Sequence, residues 1–302
     1  LAKHPRPRDV TQDDYLRTIK ARVFDIARGF LPAGASTNLA WYTSISHAVD
    51  HLHDLQCHPL QEERDIANGL LDLCEEHYPS SFKGNELSEE RRIYKESIFE
   101  KHYYFREHLE RNIGIRFFQE DALEKYKDAF LKRPKKESLP NSLAILGSIV
   151  ATDYLDFGSF RDLQRHRAVT IQMPILSQEF GYHAWYLKNL PDELRIPIQT
   201  QLDEQLVHIK NLPYTDEQKQ YLLPMCMQVP IHITGSLPKF LYVVELRSQS
   251  TVHPTLHSLA CSWGSYIKKR LDKALNLGEK DGIPVYITPP TEELNFKRGT
   301  QT

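Results

Sequence analysis

Residues 142–155 read Ser-Leu-Ala-Ile-Leu-Gly-Ser-Ile-Val-Ala-Thr-Asp-Tyr-Leu, and residues 160–167 read Phe-Arg-Asp-Leu-Gln-Arg-His-Arg. The first run is apolar and partly β-branched, the pattern of a buried strand. The second gathers Arg161, Arg165, His166 and Arg167 around Asp162. A regular helix would set Arg165, His166 and Arg167 about 100° apart around its axis. At a helix end or on a loop, all three can turn toward one ligand. Two guanidinium forks beside an imidazole suit a group with several anionic oxygens, such as a phosphate or pyrophosphate. They also suit negative charge on an electron-rich cofactor. The plain alternative is a solvated cluster paired with Asp153, Asp156 and Asp162.

Outward from that stretch the chain is mostly helical. Tyr15, Ile19, Val23, Ile26 and Phe30 recur at helical spacing over residues 11–30, and Leu31-Pro32 ends the run. Further helices are expected over 37–56 and over 60–78, the latter stopped by Pro79. Residues 86–131 are highly charged and read as helix with a solvated face, interrupted near Asn112-Ile113-Gly114. Lys132-Arg133-Pro134-Lys135-Lys136 reads as a basic linker. Beyond it, helix is expected over 191–210, strand over 228–234, helix over 238–247 and 253–275, and a short strand at Val285–Thr288. Long helices mixed with a few strands point to an α+β fold. The alternation is too irregular for a doubly wound sheet.

Composition narrows the function classes. The 302 residues include 40% hydrophobic and 26% charged side chains, enough for a buried core. Lys plus Arg number 38 against 40 for Asp plus Glu. That balance argues against nucleic-acid or membrane-surface partners, which need a basic excess. No apolar run approaches the roughly 20 residues of a membrane helix. The opening Leu-Ala-Lys-His-Pro-Arg-Pro-Arg is basic, with no apolar stretch behind it, so it is not a secretory signal. Cys57, Cys74, Cys226 and Cys261 are far apart and form no CxxC pair. They read as reduced thiols of a cytoplasmic protein.

A faint internal repeat links the two ends. Leu31-Pro32, Leu55-Gln56 and His58-Pro59 recur in order as Leu223-Pro224, Leu246-Arg247 and His253-Pro254. The offsets between the first residues of the pairs are 192, 191 and 195.

Arg165-His166-Arg167, with Thr170, Gln172 and Ser177 after it, resembles the signature of flavin-dependent thymidylate synthases, the thymidylate synthase-complementing (ThyX) family. There Arg-His-Arg is followed by Ser, Asn and a Ser-x-Arg-Tyr ending. Leu223-Pro224 through Leu246-Arg247 is similar to a second family element, whose Leu-Arg contacts the nucleotide phosphate. Ala27-Arg28 with Leu31-Pro32, and Gln61, resemble parts of the family's C-terminal half. The resemblance covers roughly 15–82 and 140–275.

This likeness implies a ThyX-like α+β fold in tandem form, with a mixed sheet flanked by long helices. Residues 1–131 would hold the C-terminal half of a first unit plus the charged helical segment, and 132–302 a second unit. The first unit's Arg-His-Arg would fall ahead of Leu1, so a longer natural protein is expected. The resemblance further implies conversion of dUMP to dTMP without a cysteine nucleophile, using FAD, methylenetetrahydrofolate and NADPH, in a homo-oligomer. Arg165, His166 and Arg167 would hold FAD. Arg247, Arg161 and Ser177 would face the nucleotide, and the likeness names no catalytic residue. Departures are visible. Met173 stands at the acidic position, Glu179 at the Ser-x-Arg arginine, and Ser236 and Pro238 at an Asn and an Arg. Gln56 stands where the first unit would match Arg247. A catalytically degenerate flavin-binding or structural relative is therefore an alternative. A second alternative is a metal site, since His47, His51, Asp54 and His58 are spaced to share one helix face.

Overall fold

The computed structural model describes residues 5–82, 84, 86–105, 110–278 and 281–290. Of the basic opening, Leu1–His4 lies outside the described residues. The elements run α1 Gln12–Ala27, α2 Ile45–Leu55, α3 Gln61–His77, α4 Pro79–Phe82, α5 Glu89–Tyr103, β1 Asn112–Arg116, α6 Glu120–Lys125 and α7 Lys127–Leu131. There follow β2 Ser148–Asp156, α8 Phe157–Leu163, β3 Thr170–Gln172, α9 Ala184–Lys188, α10 Asp192–Lys210, α11 Asp216–Lys219, β4 Gln228–Ser236, α12 Leu237–Arg247 and α13 Pro254–Ala274. The architecture is α+β.

The sheet has strand order β1-β2-β4-β3. β2 and β4 pair along their whole length, from Ser148 opposite Ser236 to Asp156 opposite Gln228. Alternate residues Ile149, Ala151 and Leu155 of β2, with Val229, Ile231 and Ile233 of β4, enter the core. There they join Phe240 and Val244 of α12 and Trp263 and Ile267 of α13 in one cluster. Each Val, Leu, Ile or Phe side chain among them contributes about 1.5–3 kcal/mol when fully buried. The strand expected over 142–155 forms at Ser148; the residues ahead of it, Asn141–Leu146, wind into a 3-10 turn.

Several expectations are corrected. The sheet is antiparallel in all three described pairings, not mixed. The chain leaves β1 at Arg116 and returns beside it at Ser148, so direction reverses. The helical stretch is interrupted at Asn112-Ile113-Gly114 as expected, but the interruption is itself an edge strand: Ile113 and Ile115 alternate along it, opposite Ala151 and Ile149. The charge density around it masked a period of two. The second helix starts at Ile45, because the Ser44 side chain caps it by accepting from His47 N, and residues 35–44 are not helical. Val285–Thr288 forms no strand; Tyr286 N donates to Glu245 and Thr288 N to the Ser248 carbonyl, tying it beside the end of α12. Arg133, within the presumed linker, is buried and donates to Glu245 and the Pro284 carbonyl.

The two Leu-Pro elements meet. Pro32 and Pro224 form an antiparallel bridge. Ala33 N donates to the Leu223 carbonyl at 2.7 Å, and Met225 N to the Leu31 carbonyl at 2.9 Å. Outside these, Gly34 N donates to Tyr221 O at 2.8 Å and Cys226 N to Gly29 O at 2.7 Å. Residues 33 and 225 differ by 192, as do 31 and 223, 34 and 226, and 29 and 221. Each bond therefore has a reciprocal partner at the same offset, which is the hydrogen-bond pattern of a local two-fold axis. The offset extends outward: Ser44 and Ser236 precede α2 and α12, both 11 residues long, and Gln56 and Ser248 close them, so the residue equivalent to Arg247 is Leu55 and not Gln56 as expected.

Candidate functional site

Asp156 ends β2 and caps α8, its Oδ2 accepting from Ser159 N at 2.9 Å. After this two-turn helix, residues 164–169 turn back into β3, where Thr170 and Gln172 lie opposite Thr234 and His232 of β4. The turn carries Arg165, His166 and Arg167. From the other side, β4 feeds α12, whose last residue is Arg247. Two segments 81 residues apart thus converge. Arg247 Nε donates to His166 Nε2 at 2.7 Å, and Arg247 Nη2 donates to the Asp162 carbonyl at 2.5 Å.

This contact fixes the chemistry of the imidazole. Nε2 accepts, so the neutral ring carries its proton on Nδ1. Burial, then the Arg247 charge, pushes the His166 pKa down to about 4, with Asp162 opposing. Burial also lowers the Arg247 pKa, with Asp162 opposing and Arg165 assisting. The Tyr242 ring stands edge-on to His166 at 6.4 Å.

The other residues singled out in the sequence sit around this pair. Arg165 has a side chain 75% exposed, with a 3.6 Å ion pair to Asp162. Arg161 and Arg167 are exposed. Ser177 is half-buried, and its Oγ accepts from Glu179 N at 3.4 Å. The structure therefore joins His166 to Arg247 and leaves the three other arginines on the open side. They line none of three cavities of about 830, 480 and 250 Å³, which lie between α1 and α10, between α3 and α5, and beside α2. The donor set is three solvent-facing guanidiniums and one imidazole N–H, which fits a polyanionic ligand such as a dinucleotide pyrophosphate.

Of the expected ion partners, only Asp162 serves the cluster. Asp153 pairs with Arg111 at 3.3 Å. Asp156 is fully buried in a network that sequence reasoning missed: Tyr186 Oη donates to its Oδ2 at 2.7 Å, and Ser159 Oγ lies 3.0 Å from His253 Nδ1 and 2.8 Å from Thr255 Oγ1. His253 stacks on Tyr186. The Asp156-x-x-Ser159 capping spacing was the one local signal for it.

The helical metal reading is not supported. His47 Nδ1 lies 3.0 Å from Ser44 Oγ, His51 meets Trp41, Asp54 pairs with Lys95, and His58 packs on Tyr103. Among the described residues no three His, Cys, Asp or Glu side chains form a group that could hold a metal. α2 ends at Leu55, so His58 lies beyond the helix that carries the other three, and each of the four has a different neighbour. The four cysteines are free. Among the described residues no helix is long and apolar enough to cross a membrane.

No model of a known protein family matches the chain. A UPF0159 protein of Chlamydia pneumoniae is 24% identical over 307 residues, covering 85% of this chain and 57% of its own length. One from Chlamydia muridarum is 23% identical with the same coverage. One from Thermoplasma acidophilum is 24% identical, covering 86% of this chain and 60% of its own length. Among solved structures, thymidylate synthase X from Helicobacter pylori, crystallised with FAD and dUMP, aligns at 11% identity. That alignment covers 54% of this chain and 99% of the other, with a TM-score of 0.36, too loose to establish a shared fold. The chain spans little more than half the length of the curated relatives it matches.

Proposed function

We propose that this chain is a flavin-dependent thymidylate synthase-like protein that converts dUMP to dTMP, with methylenetetrahydrofolate and NADPH as co-substrates. The observation that carries the reading is the His166–Arg247 contact. Two sequence elements assigned separately to one family's site meet in space, although they stand 81 positions apart. Arg165, His166 and Arg167 would hold FAD through their N–H donors. Arg247, Arg161 and Ser177 would face the nucleotide. When bound, FAD supplies the hydride chemistry of the reaction.

In this reading the fold is ThyX-like and the chain is tandem, with the second unit in 132–302 and part of a first unit in 1–131. The reciprocal bonds around Pro32 and Pro224 support that arrangement. The exposed arginines then face a surface that another subunit of a homo-oligomer covers, in the cytoplasm.

Glu179 favours a second reading, a flavin-binding relative without turnover. It is exposed and stands where the resemblance calls for a phosphate-binding arginine, and a carboxylate there repels the phosphate. One experiment tests both. Protein purified from its host and stripped by mild denaturation is examined for released FAD, and the native protein is assayed for dTMP formation. FAD with dTMP supports the first reading, and FAD without dTMP the second. A colourless protein that ignores added FAD removes both.

A further inference from the structure

We infer that residues 36–44 form a β-strand whose sheet partners lie in a part of the same polypeptide outside Leu1–Thr302. This inference rests on the tandem arrangement proposed above, though not on flavin binding. The offset of 192 that relates the bonds around Pro32 and Pro224 also relates Ser44 to Ser236 and the 11-residue α2 to α12. It therefore lays residues 36–44 on β4, Gln228–Ser236. β4 is an inner strand, paired with β2 on one edge and β3 on the other. Residues 36–44 make no ladder with any strand among the described residues.

The side chains fit a strand better than a loop. Leu39 and Trp41 fall on Ile231 and Ile233, which are 0% and 1% exposed core residues. Leu39 itself is 91% exposed, Trp41 47% and Tyr42 101%. Three large apolar or aromatic residues within four positions, in a stretch with no helix, turn or backbone hydrogen bond among the described residues, form a template for strand addition. Left open, such a segment is an aggregation site. A paired position removes both problems.

The occupant follows from the same mapping. Subtracting 192 from the positions of β2 and β3 gives numbers ahead of Leu1. The relatives are longer than the stretch they share with this chain, which spans 57–60% of their length. The partner is thus a pair of strands equivalent to β2 and β3, adding to both edges of residues 36–44 and covering Leu39 and Trp41 with apolar side chains.

Hydrogen-exchange mass spectrometry on the 302-residue chain and on the full-length product of its gene tests this. In the full-length protein, amides 37–43 should exchange on the order of 100-fold more slowly than in the 302-residue chain, at all protein concentrations. The same sample should show protected peptides ahead of Leu1. A gene with no coding sequence ahead of Leu1 would overturn the inference, as would equal exchange in both proteins. Protection appearing in the 302-residue chain only as its concentration rises would also overturn it, in favour of a second copy as the partner. Flavin content, read on the same preparations, is independent: a colourless protein with protected amides refutes the flavin reading and leaves this one standing.

Discussion

Arg247, the last residue of α12, donates its Nε hydrogen to His166 Nε2 while a second nitrogen of the same fork reaches the Asp162 carbonyl at the end of α8. A lysine has one donor head and no fixed fork, so it cannot reproduce this geometry. In the wild type, ¹⁵N-detected NMR should show a neutral Nδ1–H ring that titrates near pH 4. In Arg247→Met, the ring should titrate closer to the usual histidine range, because a positive neighbour and a donor to Nε2 are both gone. The sign for stability follows. An unfolded histidine takes up its proton near pH 6.5, whereas folded His166 resists until about 4. Its contribution is thus complete above pH 6.5 and lost as pH falls from 6.5 to 4. His58, also held at about 4 by burial and Arg64, acts in the same direction. A wild-type His166 that titrates at 6.5 would refute the contact.

Arg133 and Glu245 form a second pair, more deeply enclosed than the first, with side chains 4% and 15% exposed. The arginine also donates to the carbonyls of Glu137 and Pro284, and Tyr286 N donates to Glu245. Arg133→Ala leaves a buried carboxylate unpaired and should cost about 3–5 kcal/mol. The double variant Arg133→Met/Glu245→Leu removes both charges and should regain most of that loss. Urea unfolding of the wild type and the variants measures it, with m unchanged. A loss under about 1 kcal/mol in Arg133→Ala would show that the pair is only a surface contact.

Two glycines should respond in opposite directions to alanine. A Cβ on Gly29 would lie 2.1 Å from the Tyr186 ring, at the turn whose carbonyl accepts from Cys226 N. Gly29→Ala should lower stability by about 1–3 kcal/mol through overpacking. Gly69, inside α3, has nothing within 4 Å of its added Cβ. Gly69→Ala should raise stability by about 0.5–1 kcal/mol from helix propensity. Thermal melts of both variants decide the matter, and a destabilised Gly69→Ala would mean that α3 is covered by something else.

The parts of the fold legible in the sequence are those set by local pattern. α1 and α3 are marked by visible stops, Leu31-Pro32 and Pro79, α10 and α13 fall within the ranges expected for them, and β4 begins at the start of the expected strand over 228–234. What stayed hidden depends on distant partners. β1 is a strand only because Ile113 and Ile115 find β2, and β3 is three residues on the free edge of β4. The site was half legible. The Arg-His-Arg turn stood out by charge and Leu246-Arg247 by resemblance, but nothing local says that Arg247 grips His166 rather than solvent. The Asp156 network was read as surface charge, because its Tyr186, His253 and Thr255 partners arrive from far along the chain.

Charge at position 179 offers the last test of the nucleotide side. Glu179 follows Ser177, whose hydroxyl accepts from its backbone N–H, and it is exposed beyond the Arg165–Arg167 turn. If dUMP binds with its phosphate toward this edge, Glu179→Arg replaces a repulsive charge with a forked donor. Affinity for dUMP should rise about tenfold, equal to about 1.4 kcal/mol. The gain should shrink as salt is raised, since an exposed charge is screened. Arg165→Ala and Arg167→Ala should change stability by less than about 0.5 kcal/mol, as exposed side chains do. They should nevertheless weaken FAD binding by about tenfold each, the scale of one charge-assisted hydrogen bond. Isothermal titration with FAD and dUMP separates these effects. If Glu179→Arg leaves dUMP affinity unchanged while the two alanine variants lose FAD, the turn serves the flavin alone and the nucleotide binds elsewhere.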